Sequence, residues 1–169
     1  MGKRAAQYQR KKISSNLAFT VCEESFDLCN IEEKIKWEKK EAKHYHFDWT
    51  LISDPGIRFE NCVACHLYSW CCNKQDGEGL EYELRYFRNV DKKEVDFVVC
   101  LDGKPRHFIE CKYGKTQISD GLSYLHNHYP KIPATQIVLD CSEDFISKEG
   151  IRVRPAAGFL CDLGSLEAK

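Results

Sequence analysis

The sequence lacks any apolar run long enough to cross a membrane, and its first residues carry no signal-peptide pattern. It also lacks a strong net charge, because 25 basic residues balance 26 acidic ones to a formal charge of −1. No global field therefore draws the chain to a polyanion, and a DNA site must be a local patch. We expect a cytoplasmic protein with no membrane partner.

Cysteine, in contrast, is abundant, with ten in 169 residues. In a reducing compartment these are expected to be free thiols rather than a disulfide framework. Cys62-Val63-Ala64-Cys65-His66 matches the C-x-x-C-H pattern of haem attachment, but it falls inside a predicted helix, and we predict no haem. A zinc site is a further alternative, although its second pair lacks the usual spacing; its ligands would be Cys62, Cys65, Cys71 and Cys72.

The length is enough for one domain with a good core. We assign residues 1–43 to an N-terminal extension and residues 44–169 to the folded domain. Within the extension, Leu17 to Cys29 is apolar enough for one or two short helices, and Ile31 to Lys43 suggests a solvated helix or loop.

In the domain, a short strand at 44–49 precedes a helix signal. Asp54-Pro55 is a cap followed by a first-turn proline, and apolar residues then recur at helical spacing to residue 72. Polar residues 73–79 suggest a loop. The remaining predictions are strands at 80–88, 94–101 and 105–112, a helix at 119–128, strands at 135–140 and 150–154, and a closing helix within 155–163. The order α-β-β-β-α-β predicts an α/β fold, with helices flanking a central mixed sheet.

The apolar strands at 94–101 and 105–112 carry Asp96, Glu110 and Lys112 among their charged residues. Burying such groups is costly unless they are paired or hold an ion. The turn signal Asp102-Gly103-Lys104 between the two strands predicts an antiparallel hairpin, and a three-residue loop at 102–104 places Asp96 opposite Glu110. A two-residue loop places Asp96 and Glu110 on opposite faces, so a shared site requires an odd loop length or a β-bulge.

This set of residues suits phosphodiester hydrolysis. Mg²⁺, or Mn²⁺ in its place, accepts one or two carboxylates and keeps several waters, so Asp96, Glu110 and the Cys111 carbonyl can supply a partial shell. Lys112 is the candidate catalytic cation, which either orients or deprotonates water or neutralises transition-state charge. Glu60, on the first helix, is an auxiliary catalytic and metal candidate.

An acid on the first helix, Asp on the second strand and E-X-K on the third resemble the PD-(D/E)XK restriction-endonuclease-like superfamily. The longer matches Tyr45-His46-Phe47-Asp48-Trp49, Arg58-Phe59-Glu60-Asn61 and Glu94-Val95-Asp96-Phe97 resemble one member. That member is the nuclease-like C-terminal domain of unknown function found behind AAA-type ATPases in bacteria and archaea. The resemblance covers about residues 44–160 and implies a restriction-endonuclease-like core.

The leading hypothesis is therefore metal-dependent hydrolysis of DNA. The alternative is a catalytically inactive domain that binds DNA or an ATPase partner. Candidate contacts to the DNA backbone are Arg85, Arg88 and Lys115. The sequence leaves a homodimer open.

Overall fold

The computed structural model describes residues 18–23, 43–114 and 116–165. Its strands are β1 (Ala18–Glu23), β2 (Lys43–His46), β3 (Tyr82–Arg88), β4 (Glu94–Leu101), β5 (Lys104–Lys112), β6 (Ala134–Val138), β7 (Phe145–Ile146) and β8 (Arg152–Pro155). Its α-helices are α1 (Pro55–Glu78), α2 (Asp120–His128) and α3 (Ala156–Cys161), and short 3-10 helices span Trp49–Leu51 and Leu163–Ser165.

The described strands form one mixed sheet in the order β2-β1-β3-β4-β5-β6-β8-β7. The centre is an antiparallel meander of β3, β4 and β5, while β6 and β8 extend the sheet in parallel to β5. The α-β-β-β-α-β order is present from α1 to β6. The predicted α/β fold with a mixed sheet flanked by helices is confirmed.

Helix α1 begins where the sequence predicts. The Asp54 carboxylate accepts a hydrogen bond from the Ile57 backbone N–H at 2.8 Å, which satisfies a free donor of the first turn. The loop predicted at residues 73–79 is wrong, because α1 continues to Glu78. Lys74 pairs with Glu78 one turn later at 2.6 Å, and Gly79 closes the helix in the left-handed conformation.

The helix predicted between Leu17 and Cys29 is also wrong over residues 18–23, which form β1. The physical reason is alternation: Phe19 and Val21 are both buried, as expected of a strand with one face on a core. Other residues of the predicted N-terminal extension lie outside the described residues, apart from Lys43 at the start of β2.

Two apolar clusters cover the two faces of the sheet. The larger packs α1 and α3 on one face and includes Phe97, Val99 and Ile109. The smaller packs α2 on the other face and includes Val95, Val98 and Phe108. Val95 and Phe97 belong to different clusters although they are two residues apart, so the simple alternation of β4 is broken between them.

A β-bulge explains this break. Arg85 pairs with Val98 and Phe87 pairs with Val95, so Asp96 and Phe97 together face the single residue between Arg85 and Phe87. A bulge bends its strand and re-aims a side chain. Here it changes the direction of the chain at Asp96.

The eight cysteines whose side chains are described are free and form no disulfide bonds. Cys62, Cys65 and His66 lie within α1, where the His66 Nδ1 is 2.8 Å from the Cys62 carbonyl oxygen of the same helix. Among the described residues, no helix is both long and apolar enough to cross a membrane.

Candidate active site

Asp96 and Glu110 meet where β4 and β5 part. The hairpin loop is Asp102-Gly103, since Leu101 pairs with Lys104. This even loop alone would separate the two acids, but the register shifts by one residue beyond Cys100, and Phe97 pairs with Ile109. One step further along the strands, Asp96 therefore faces Glu110, as the sequence argument requires of a bulged hairpin.

The two carboxylates are joined through backbone groups. The Cys111 N–H donates to Asp96 Oδ2 at 2.9 Å, and the Asp96 N–H donates to Glu110 Oε2 at 3.3 Å. The Asp96 and Glu110 side chains thus bridge the ends of the paired region of the two strands. This bridging fixes both side chains against rigid strands rather than leaving them on a loop.

Lys112 belongs to the same group of residues. Its Nζ lies 2.7 Å from Glu110 Oε1, and a third of its side chain is exposed. Burial alone would lower the pKa of Lys112, but the hydrogen bond and charge of Glu110 raise it. Lys112 is therefore a cation at neutral pH, which favours charge neutralisation or proton donation over its action as a base.

Glu60 reaches the site from the first third of α1, beside the buried Phe59 and Val63. It does not stand alone there. Glu60 Oε1 accepts a hydrogen bond from the Tyr45 hydroxyl at 2.7 Å and forms an ion pair with Lys43 Nζ at 3.1 Å. Glu60 is linked to Asp96 through Lys43, whose Nζ is 3.5 Å from Asp96 Oδ1.

Lys43 is the residue that sequence reasoning missed. Its Nζ is also 2.6 Å from Glu94 Oε1, so a single ammonium contacts three carboxylates. It lies 5.4 Å from the centre of the Tyr86 ring, a cation–π distance. We call Lys43, Glu60, Glu94 and Asp96 the lysine–carboxylate cluster.

The neighbouring strand and helix explain how Lys43 arrives there. The buried Asn61 side chain on α1 accepts the His46 N–H at 2.9 Å and donates to the His46 carbonyl, as a strand partner would. This fastens the end of β2 to α1. Lys43 and Tyr45, on the same face of β2 by period two, are thereby directed at Glu60.

Burial and the crowding of carboxylates shift the pKa values of several groups in the site. Burial, followed by the charges of Glu110 and Glu60, raises the pKa of Asp96 to about 8. Burial alone would lower the pKa of Lys43, but its carboxylate neighbours outweigh that effect and raise it. Burial and Glu60 raise the pKa of Tyr45, so its hydroxyl is a permanent donor to Glu60.

Gln136 supports the loop that follows Lys112. It pairs with Glu110 in the parallel register of β5 and β6 and is fully buried. Its side chain accepts the Ser119 N–H at 3.0 Å and donates to the Gln117 carbonyl at 2.9 Å. A buried glutamine in a β-branched strand is the sequence signal that points to this positioning role.

The three candidates for DNA contact are placed differently. Arg85 is paired with Glu83, and only 12% of its side chain is exposed. Arg88 pairs with Glu94 at 3.2 Å and lies at the border of the lysine–carboxylate cluster. Lys115 lies outside the described residues.

The donor chemistry of Asp96, Glu110 and the Cys111 carbonyl fits a hard cation such as Mg²⁺. The carboxylates adjacent to Asp96 help to raise its pKa, and the same crowding of negative charge favours a bound cation at this position. No group of three or more His, Cys, Asp or Glu side chains within the described ranges is arranged to hold a metal ion. The candidate donors are two carboxylates and one backbone carbonyl, a partial shell that water would complete around Mg²⁺.

Comparison with known proteins identifies the family. The sequence profile described as "Domain of unknown function (DUF4143)" matches residues 55–159, which is more than half of the chain. The protein belongs to this family, whose domain is often found with AAA ATPases. Neither the curated proteins nor the solved structures contain a significant match to the chain.

Proposed function

We propose that the protein is a metal-dependent nuclease of the PD-(D/E)XK type that hydrolyses phosphodiester bonds in DNA. The observation that supports this most directly is the arrangement of Asp96, Glu110 and Lys112 at the divergence of β4 and β5. Two adjacent carboxylates are a donor set that Mg²⁺ accepts, and a neighbouring ammonium can stabilise negative charge on a phosphate.

Each residue has a role that follows from its contacts. Asp96, Glu110 and the Cys111 carbonyl would hold Mg²⁺, which when bound would activate water and stabilise charge on a phosphate oxygen. Lys112 presents a fixed ammonium beside Glu110 and neutralises negative charge that develops on the phosphate. In the overall reaction a water oxygen forms a bond to phosphorus, and one P–O ester bond breaks to give a phosphomonoester and a hydroxyl.

A second candidate function is an interaction module that serves DNA or an ATPase partner without catalysis. The observation that favours it is Lys43, whose ammonium already contacts three of the acids. The association of the family with AAA ATPases makes such an ATPase the first partner to test.

Nicking of supercoiled plasmid separates the two functions. We expect wild type to nick DNA in Mg²⁺ or Mn²⁺ and not in chelator. Asp96→Asn and Lys112→Met should each abolish nicking, whereas Lys104→Met, an exposed residue at the far end of β5, should retain it. Absence of nicking by wild type, or equal nicking by wild type and Asp96→Asn, would reject the nuclease proposal.

A further inference from the structure

The position of Lys43 carries an inference about how the candidate metal site is controlled. Its Nζ lies 2.6, 3.1 and 3.5 Å from carboxylate oxygens of Glu94, Glu60 and Asp96, respectively. Only 24% of its side chain is exposed, so water screens these contacts poorly. Glu94 also pairs with Arg88 at 3.2 Å.

Both oxygens of Asp96 are engaged. Oδ2 accepts the Cys111 N–H at 2.9 Å, and Oδ1 faces the Lys43 ammonium at 3.5 Å. A divalent ion that takes Asp96 Oδ1 as a ligand must approach within a few ångströms of that ammonium. Two like charges at such a distance repel strongly where solvent is scarce.

We propose that Lys43 is a built-in competitor of the metal ion, a resident cation that must withdraw from Asp96 before a divalent ion binds there. This inference rests on the proposed function in that it concerns the same Asp96–Glu110 site. It adds a means of control, because the occupancy of the metal site then depends on where β2 holds Lys43.

The lysine has an alternative place to go when it leaves Asp96. Glu94 and Glu60 are its closer partners, and Asp96 is the most distant of the three. A small retreat toward Glu60 and Glu94 keeps two ion pairs and frees Asp96 Oδ1. Because β2 lies at the edge of the sheet and pairs only with β1 among the described strands, movement of this strand changes the position of the ammonium.

The test is a Mn²⁺ titration of the full chain, followed by calorimetry and thermal melting. We expect Lys43→Gln to bind Mn²⁺ at least about tenfold more tightly than wild type, because the competing charge is gone. It should melt lower than wild type in chelator and gain more in melting temperature from Mn²⁺. Lys43→Arg, which keeps the charge, and the exposed Lys104→Gln should both respond like wild type.

Equal Mn²⁺ affinity of wild type and Lys43→Gln would overturn the inference, as would a tight-binding Lys43→Arg. Because binding and nicking are separate readouts, tighter Mn²⁺ binding by Lys43→Gln together with no nicking by wild type rejects the nuclease proposal alone. Nicking by wild type with equal affinities rejects the inference alone.

A measurement on wild type removes dependence on the folding of a variant. Amine-reactive labelling followed by mass spectrometry reports how often the Lys43 amine is neutral and therefore reactive. We expect slow labelling in chelator and several-fold faster labelling in saturating Mn²⁺, because loss of the Asp96 contact and a nearby divalent charge both favour the neutral amine. Lys104 is the internal control, whose rate should not change. A Lys43 labelling rate that is the same with and without Mn²⁺ would contradict displacement.

Discussion

Replacement of Asp96 by Asn gives a sharp test of the electrostatics of the site. Asn has nearly the same shape, and its side-chain oxygen can still accept the Cys111 N–H that Asp96 Oδ2 accepts at 2.9 Å. What disappears is a carboxylate whose ionisation is opposed by burial, Glu110 and Glu60. We therefore expect Asp96→Asn to fold and, in chelator at neutral pH, to be more stable than wild type.

The size and sign follow from linkage. The folded pKa of Asp96 is raised to about 8, above its usual value of 3.8, so between these values the folded state holds a proton that the unfolded state has lost. The free energy of unfolding of wild type must then fall as pH rises through this range. Since pH 7 lies about three units above the usual value and one unit corresponds to about 1.4 kcal/mol, Asp96→Asn should gain up to about 4 kcal/mol near pH 7.

Urea unfolding in chelator from pH 4 to 9 measures this. Asp96→Asn should show a higher free energy of unfolding at pH 7 and a flatter pH profile than wild type. The control is Asp91→Asn, a change in an exposed turn that should leave the profile unchanged. A mutant that is less stable than wild type at pH 7, with the same pH slope, would show that ionisation of Asp96 does not destabilise the folded state.

Two further predictions concern the scaffold and are read by urea unfolding. Gly121→Ala should cost about 3 kcal/mol or more of unfolding free energy, because a Cβ there would lie 2.0 Å from the Glu94 carbonyl oxygen. Gly77→Ala, where a Cβ meets open space, should instead gain up to about 1 kcal/mol. Equal effects of the two changes would contradict this packing. Asp54→Ala should cost about 1 kcal/mol through the lost helix cap, whereas Asp54→Asn should cost far less; equal losses would contradict the capping role.

Local chemistry was sufficient to predict several parts of the molecule. Asp54-Pro55 marks the start of α1, and charged residues in apolar strands mark the meeting of Asp96 with Glu110. The bulge that the hairpin requires could be stated but not located, because the register shift between Val99 and Cys100 depends on how β5 pairs with β4. The sequence predicts whether an odd or an even loop puts two side chains on one face. The position at which the register shifts depends on tertiary packing.

Lys43 and Tyr45 were out of reach for a different reason. They are separated from Glu60 by 17 and 15 residues, and no local sequence pattern indicates that they contact it. Their contact depends on Asn61 fastening β2 to α1 through the His46 backbone. A short strand in a charged stretch has little periodic signal, so its pairing, and the cation it delivers, emerges only from the assembled fold.

The most direct test of the central claim is a crystal of the full chain soaked in Mn²⁺ and measured for anomalous scattering. We expect an anomalous peak about 2.0–2.4 Å from oxygens of both Asp96 and Glu110, with the Lys43 ammonium withdrawn from Asp96. A map at saturating Mn²⁺ with no peak between these carboxylates, and with Lys43 still 3.5 Å from Asp96 Oδ1, would contradict this claim.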